Sequence, residues 1–137
     1  MLSHLVYLSK RNPNCTSEEI ENILQSCNKN NKEYNLTGVL LYSDKQFVQY
    51  LEGEYDEILA LYDRIKGDPR HSNIVMITSG PINDRAFPSW QMGAKKVDFN
   101  SIEFKTNMSP NEQAEFKNIL KGEENNNALK LVKKFFN

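Results

Sequence analysis

The chain has 137 residues, 39% of them hydrophobic and 26% charged, and its 17 basic and 18 acidic side chains leave a net charge of -1. That is the length of one domain able to close a core without disulfide staples, and the charge balance excludes a strong electrostatic case for nucleic acid or an anionic membrane. No apolar run approaches the ~18 residues of a membrane span, Met1 to Lys10 lacks the layout of a signal peptide, and Cys15 and Cys27 make no secreted framework, so the expected setting is soluble and cytoplasmic.

His4 to Ser9 reads as a first strand, apolar on both faces, broken by Arg11-Asn12-Pro13-Asn14. Thr16-Ser17-Glu18-Glu19 has the form of a capping box, and Ile20, Ile23, Leu24 and Cys27 follow at helical spacing, which predicts a helix to about Asn31. Cys15 is placed to pack against Ile20 as a hydrophobic staple. Thr37 to Ser43 and Gln46 to Gly53 are two strands joined by a tight turn at Asp44-Lys45. Tyr55 to Lys66 is a second helix with Ile58, Leu61, Tyr62 and Ile65 on its apolar face, ended by Gly67 and Pro69. Ile74 to Ile77 is a fourth strand, a loop follows at Gly80 to Asp84, and Trp90 to Val97 is a fifth strand. Ser109-Pro110-Asn111-Glu112 opens another helix, and a last one carries Leu129, Val132, Phe135 and Phe136.

This order, βαββαββ followed by two helices, predicts an α+β fold of the ferredoxin-like type with both leading helices on one face of the sheet. The strands are apolar on the other face too, and the C-terminal helical pair is the candidate to cover it. The fold alone decides no function. Phosphate-binding glycine loops, zinc-protease and Cys-x-x-Cys motifs are absent from the sequence, and His4 and His71 are too few for a zinc site. An RNA-recognition module would need a Gly-rich aromatic motif in the strand that here reads Gln46-Phe47-Val48-Gln49-Tyr50-Leu51.

Three residues break the binary pattern. Gln49 shares a strand face with Phe47 and Leu51. Asn31 lies eleven positions after Ile20, which brings it within about 20° of Ile20's direction and ends the apolar stripe in a carboxamide. Tyr7 sits in the middle of the first strand with a phenol that needs a partner. Each is open to a bland reading as a core residue bonded to backbone. Together, two carboxamides and a phenol between two helices suit a flat heterocycle with alternating donors and acceptors.

At these residues the sequence resembles the BLUF family, blue-light sensors that use FAD. Leu5-Val6-Tyr7-Leu8-Ser9, Asn28-Lys29-Asn30-Asn31 with Leu36 to Tyr42, Phe47 to Gly53, Asp68-Pro69-Arg70-His71 and Arg85 to Gly93 match the family's blocks in order and spacing. The resemblance covers about Leu2 to Gly93 and stops by Val97, which divides the chain into a flavin-binding domain at 1–97 and a helical extension at 98–137 that packs on the sheet.

The resemblance implies noncovalent FAD between the two helices, with Asn30, Asn31, Gln49, Arg64, Asp68 and His71 holding it. It also implies photochemistry at Tyr7 and Gln49. Light-excited flavin takes an electron and a proton from Tyr7, the Gln49 amide rotates or tautomerises, and the surrounding hydrogen-bond network is left changed. Trp90 and Met92 are implied as signalling residues, without a choice of which faces Gln49. For Arg64 and Asp68 an i,i+4 surface ion pair is the competing reading, and for Trp90 and Met92 ordinary core packing is. Lys29 is either a phosphate contact or a solvated lysine. The chain is then a sensor and not an enzyme, signalling through a homo-oligomer or a downstream protein partner, with no part for nucleic acid or membrane. The competing class is a non-photochemical ligand-binding or subunit-interaction module on the same scaffold.

Overall fold

A computed structural model of the chain describes residues 1–95, 102–120 and 130–132. The elements run β1 (Leu2–Arg11), α1 (Ser17–Glu33), β2 (Thr37–Tyr42), β3 (Gln46–Glu54), α2 (Tyr55–Lys66), β4 (His71–Pro81), β5 (Trp90–Lys95), β6 (Ile102–Phe104) and α3 (Pro110–Leu120). The strands form one sheet in the order β4-β1-β3-β2-β5-β6. Every neighbouring pair is antiparallel except β2 and β5. The first four strands have the split-βαβ order of a ferredoxin-like fold, so β1 and β3 lie side by side at its centre.

Local chemistry sets the element ends. Thr16 caps α1 by accepting from the Glu19 amide at 3.4 Å, and Glu18 and Glu19 lie where the helix dipole favours acids. Cys15 is buried in the same cluster as Ile20. α2 carries Asp56 and Glu57 in its first turn, Arg64 and Lys66 in its last, and stops at Gly67. Gly38 in β2 has φ +136°, and a Cβ there would lie 2.0 Å from the Tyr50 carbonyl oxygen, so only glycine lets β2 and β3 pair at that point.

The alternation of the strands splits the core in two. The front layer joins Leu5, Leu40, Phe47, Leu51, Trp90 and Met92 to Ile20 and Ile23 of α1 and Ile58, Leu61 and Tyr62 of α2. The back layer joins Val6, Val39, Leu41, Val48 and Tyr50 to Phe87, to Phe116 and Leu120 of α3, and to Val132. Phe116 is fully buried and stacks on Phe87 with ring centroids 5.3 Å apart. Burial of a side chain that size favours the docked helix by about 1.5–3 kcal/mol. Leu129, Phe135 and Phe136, placed by the sequence on a last apolar helix, lie outside the described residues.

Two strands differ from the sequence reading. β4 is eleven residues rather than the four-residue apolar run Ile74 to Ile77, and takes in Gly80 and Pro81. It is an edge strand, mostly exposed, and its pairing with β1 shifts register twice, so alternation does not reveal it. β6, only three residues long, was not predicted; it lies beyond residue 97 and extends the sheet through β5. α1 runs two residues past Asn31, to Glu33. Among the described residues no helix is long and apolar enough to cross a membrane.

Candidate functional site

Sheet register lines up the central residues of the site. Tyr7, Gln49, Leu40 and Met92 are successive Cα partners across β1, β3, β2 and β5. All four side chains point to the front, under α1 and α2. The Tyr7 hydroxyl donates to Gln49 Oε1 at 2.8 Å, and both side chains are buried. Gln49 Nε2 has no partner among the described residues, and neither does Asn31 Nδ2 or Oδ1, although Asn31 is only 1% exposed. Each buried polar atom left unpaired costs about 1–3 kcal/mol, so an amide with both ends free is a candidate contact for a ligand or an ordered water.

Tyr7, Asn30, Asn31, Gln49, Arg64, Asp68 and His71 line one cleft between α1 and α2, with a volume of about 210 Å³. Its apolar walls are Ile23, Leu40, Leu61 and Ile65. Two greasy walls over a polar floor are what a flat, partly polar ring requires. Trp90 does not line this cleft but a neighbouring one of about 420 Å³, which it shares with Asn31. The Trp90 indole N–H is buried and also lacks a partner among the described residues. Met92, the last residue of that row, is fully buried in the front core. Lys29 is exposed and lies on neither cleft.

The rim is held by charge. Burial pushes the Asp68 carboxyl up, but hydrogen bonds from the Arg70 guanidinium and amide outweigh it and hold the group below its ordinary value. Arg70 Nε lies 2.9 and 3.0 Å from the two Asp68 oxygens, and Nη2 lies 2.5 Å from Oδ2. The alternative i,i+4 pairing of Arg64 with Asp68 does not form. α2 ends at Lys66, so Asp68 is past the helical spacing that pairing needs. Arg64 instead lies over the Tyr34 ring, 5.4 Å from its centroid.

His71 is held neutral. Burial lowers its pKa to about 4, with Asp68 opposing and Arg70 reinforcing the shift. Its Nδ1 meets Ser9 Oγ at 2.9 Å, and its ring lies 4.4 Å from that of Phe47. Burial, helped by Cys27, Asp68 and Tyr62, raises the Tyr7 phenol well above its ordinary range, so Tyr7 holds its proton. Cys27, read from the sequence as core, lines the cleft; burial pushes its thiol up to about 12, which keeps it from acting as a nucleophile. Arg70 was missed as a separate functional residue. The signal available was its position two residues after Asp68, where a loop returns side chains to the same rim. Among the described residues no group of three or more His, Cys, Asp or Glu could hold a metal ion.

The family described as BLUF, sensors of blue-light using FAD, matches residues 2–93. The chain is 35% identical over 88 residues to the photoactivated adenylate cyclase subunit beta of Euglena longa, which covers 64% of this chain and 10% of that protein. It is 36% identical over 75 residues to the blue light- and temperature-regulated antirepressor BluF of Escherichia coli (strain K12), covering 55% of this chain and 19% of that one. The dark-state structure of BlrB, a BLUF protein, superposes with a TM-score of 0.69 at 26% identity, covering 90% of this chain and 97% of that one. The chain thus spans about a tenth of the length of the cyclase subunits that it matches.

Proposed function

Since the chain belongs to the BLUF family of blue-light sensors using FAD, we propose that it senses blue light through the hydrogen bond between Tyr7 and Gln49. The residues present fit the cofactor. The cleft is walled by aliphatic side chains, and three of its polar atoms, Asn31 Nδ2 and Oδ1 and Gln49 Nε2, are buried and unpaired among the described residues. Asn31 would hold the polar edge of the ring, with Asn30, Arg64, Asp68 and His71 around it. When bound, the flavin supplies a light-activated electron and proton acceptor.

The rest is chemistry of this chain. Tyr7 keeps its proton because burial disfavours the phenolate. A phenol that loses an electron becomes a strong acid, and its proton has one route, along the 2.8 Å bond to Gln49 Oε1. The amide that receives it has two responses. It would give up a proton from Nε2 to the bound acceptor and become its imidic tautomer, or, once a proton has returned to the Tyr7 oxygen, it would be left as the neutral amide with its two ends exchanged by rotation. Both exchange donor and acceptor at the cleft wall. α1 and α2 keep water from competing for these positions. Gln49 and Met92 are joined through Leu40 by direct strand pairing, so β5 is well placed to register the change. The Met92 carbonyl accepts from the Lys105 amide at 2.8 Å, next to β6. Signalling through a second copy or a downstream protein is part of this proposal.

The observation that carries it is the donated Tyr7–Gln49 bond beside unpaired Asn31. Purified protein should be yellow, and blue light should produce a lasting, slightly red-shifted flavin spectrum. Tyr7→Phe keeps the ring and its packing. It should stay yellow, lose the red-shifted state and fluoresce more brightly. A folded protein that is colourless and cannot be loaded with FAD would sink the proposal in favour of a non-photochemical binding module.

A further inference from the structure

Glu52 is the one fully buried acidic residue among the described residues, with 0% exposure. It lies three positions after Gln49 on β3 and faces the back of the sheet. Its Oε1 accepts from the Ala86 amide at 2.5 Å and from the Tyr50 hydroxyl at 3.1 Å. Its Oε2 accepts from the Phe87 amide at 3.1 Å and from the Thr37 hydroxyl at 2.9 Å. A carboxylate has about four acceptor sites and no donor, so these four donors fill it. Arg85 closes the cluster by donating to Thr37 Oγ1 at 2.8 Å and to the Glu52 carbonyl at 3.2 Å.

The segment seated this way leads straight into β5. Two residues after Phe87, the Ser89 carbonyl accepts from the Gly38 amide at 3.2 Å, and Trp90 then pairs with Gly38. Trp90 is therefore placed by two anchors, the Glu52 carboxylate on β3 and the Gly38 amide on β2. Phe87, held by the first anchor, also packs on Tyr50 and on Phe116 of α3, each at 5.3 Å between ring centroids.

We propose that Glu52 is a positioning residue for the photosensory site, seating residues 85–87 so that Trp90 and Met92 lie in fixed places on β5, two strands from Gln49. The part played by Trp90 and Met92 rests on the function proposed above; the seat itself does not. Its side chain acts from the opposite face of the sheet and touches nothing in the cleft. The chemistry demands acceptors only. A carboxamide of the same shape would turn an –NH₂ toward one backbone amide and one hydroxyl; the hydroxyl can reverse and accept, but the amide N–H is left without its acceptor.

The test is Glu52→Gln in the full chain, first without flavin. Amide hydrogen exchange at Ala86 or Phe87, whichever the –NH₂ faces, should quicken by about ten-fold, and the Trp90 indole N–H resonance should move, while amides of β1 and β3 keep their protection. Unchanged exchange at 86 and 87, an unmoved Trp90 signal, or a uniform loss of protection across the sheet would each overturn the proposal. In the flavin-loaded variant the red-shifted state should still form, because Tyr7 and Gln49 are intact, but should decay several-fold faster. An unchanged decay overturns the link to the site. A wild type that never shows the red shift overturns the photosensory reading and leaves the flavin-free result to decide the seat. If Glu52→Gln does not fold, Tyr50→Phe and Thr37→Val each remove one donor and should show the same pattern at two- to three-fold size; no local change in either would overturn the proposal.

Discussion

Gln49 and Glu52 lie three residues apart on one strand, both almost wholly buried, and they face opposite sides of the sheet. On the back, every acceptor site of Glu52 meets a donor. On the front, among the described residues, the Gln49 side chain has one partner and a free Nε2, and the neighbouring Asn31 side chain has none. The difference separates two uses of buried polarity. A saturated group fixes architecture, because any change leaves donors stranded. An unsaturated group is costly until a ligand completes it, and so reports the ligand. His4 departs from this division. It stacks on Tyr50 at the back with both ring nitrogens buried, and burial lowers its pKa against the opposing pull of Glu52 and the Gly80 backbone, so it is kept neutral.

The sharpest way to break the comparison is to remove each side chain's polarity in flavin-free protein. Glu52→Leu strands four donors and should cost roughly 3–5 kcal/mol. Gln49→Leu strands only the Tyr7 hydroxyl and also removes an unpaired amide end, so the loss should be about 1 kcal/mol. Denaturant titration measures both, and equal losses would erase the distinction. Light reverses the order: Gln49→Leu should bind flavin and lose the red shift entirely.

Asn31→Ala comes next. Without flavin it should change stability little, since Asn31 makes no side-chain bond to the described residues. With flavin it should weaken retention by about 10–100-fold, the cost of one or two unmade hydrogen bonds. Equilibrium dialysis reads this directly, and undiminished retention would take Asn31 out of the site.

The polar residues of the front face were largely legible in the sequence and the polar seat on the back was not. Tyr7, Gln49 and Asn31 announce themselves as polar residues at apolar phases of a strand or a helix, and periodicity needs only neighbours in the chain. The role of Glu52 depends on two backbone amides more than thirty residues away, in a loop with no period to read. Its position beside Tyr50 and Leu51 in an otherwise core strand was the available sign. The Asp68–Arg70 pair escaped for a related reason: the helix that would have paired Asp68 with Arg64 stops at Lys66. β4 and β6 were misread because an exposed edge and a three-residue strand carry too little alternation. The back layer itself was foreseeable, since strands apolar on both faces require a second cover.

His71 extends the comparison to protons. Its pKa is about 4 in the fold against an ordinary 6.5, because burial disfavours the imidazolium. Between those values the unfolded chain binds more protons than the folded one, so stability is complete above about pH 6.5 and falls as pH drops toward 4. The span corresponds to at most about 3 kcal/mol. His71→Phe should flatten that part of the melting-temperature profile. The Asp68 carboxyl, held below 3.8, loses its contribution only at lower pH, so the two effects separate.

The smallest effect should come from Arg70→Lys. The guanidinium grips both Asp68 oxygens, and its Nη1 lies 3.9 Å from Glu19 on α1. It ties the loop after α2 to the first turn of α1 and so spans the rim of the cleft. A lysine keeps the charge but cannot make the two-pronged bond. The pair is partly exposed, with side chains 25% and 17% accessible, so screening limits what it contributes to stability. Thermal unfolding should therefore hardly move. The effect belongs in dissociation of the flavin, because Asp68 is released at the point where the cleft opens. A few-fold faster loss of FAD on dilution, with an unaltered red shift in the fraction still loaded, is the expected result. If retention is unchanged, the Asp68–Arg70 clamp is surface electrostatics alone, and the boundary of the site moves inward to His71 and Asn31.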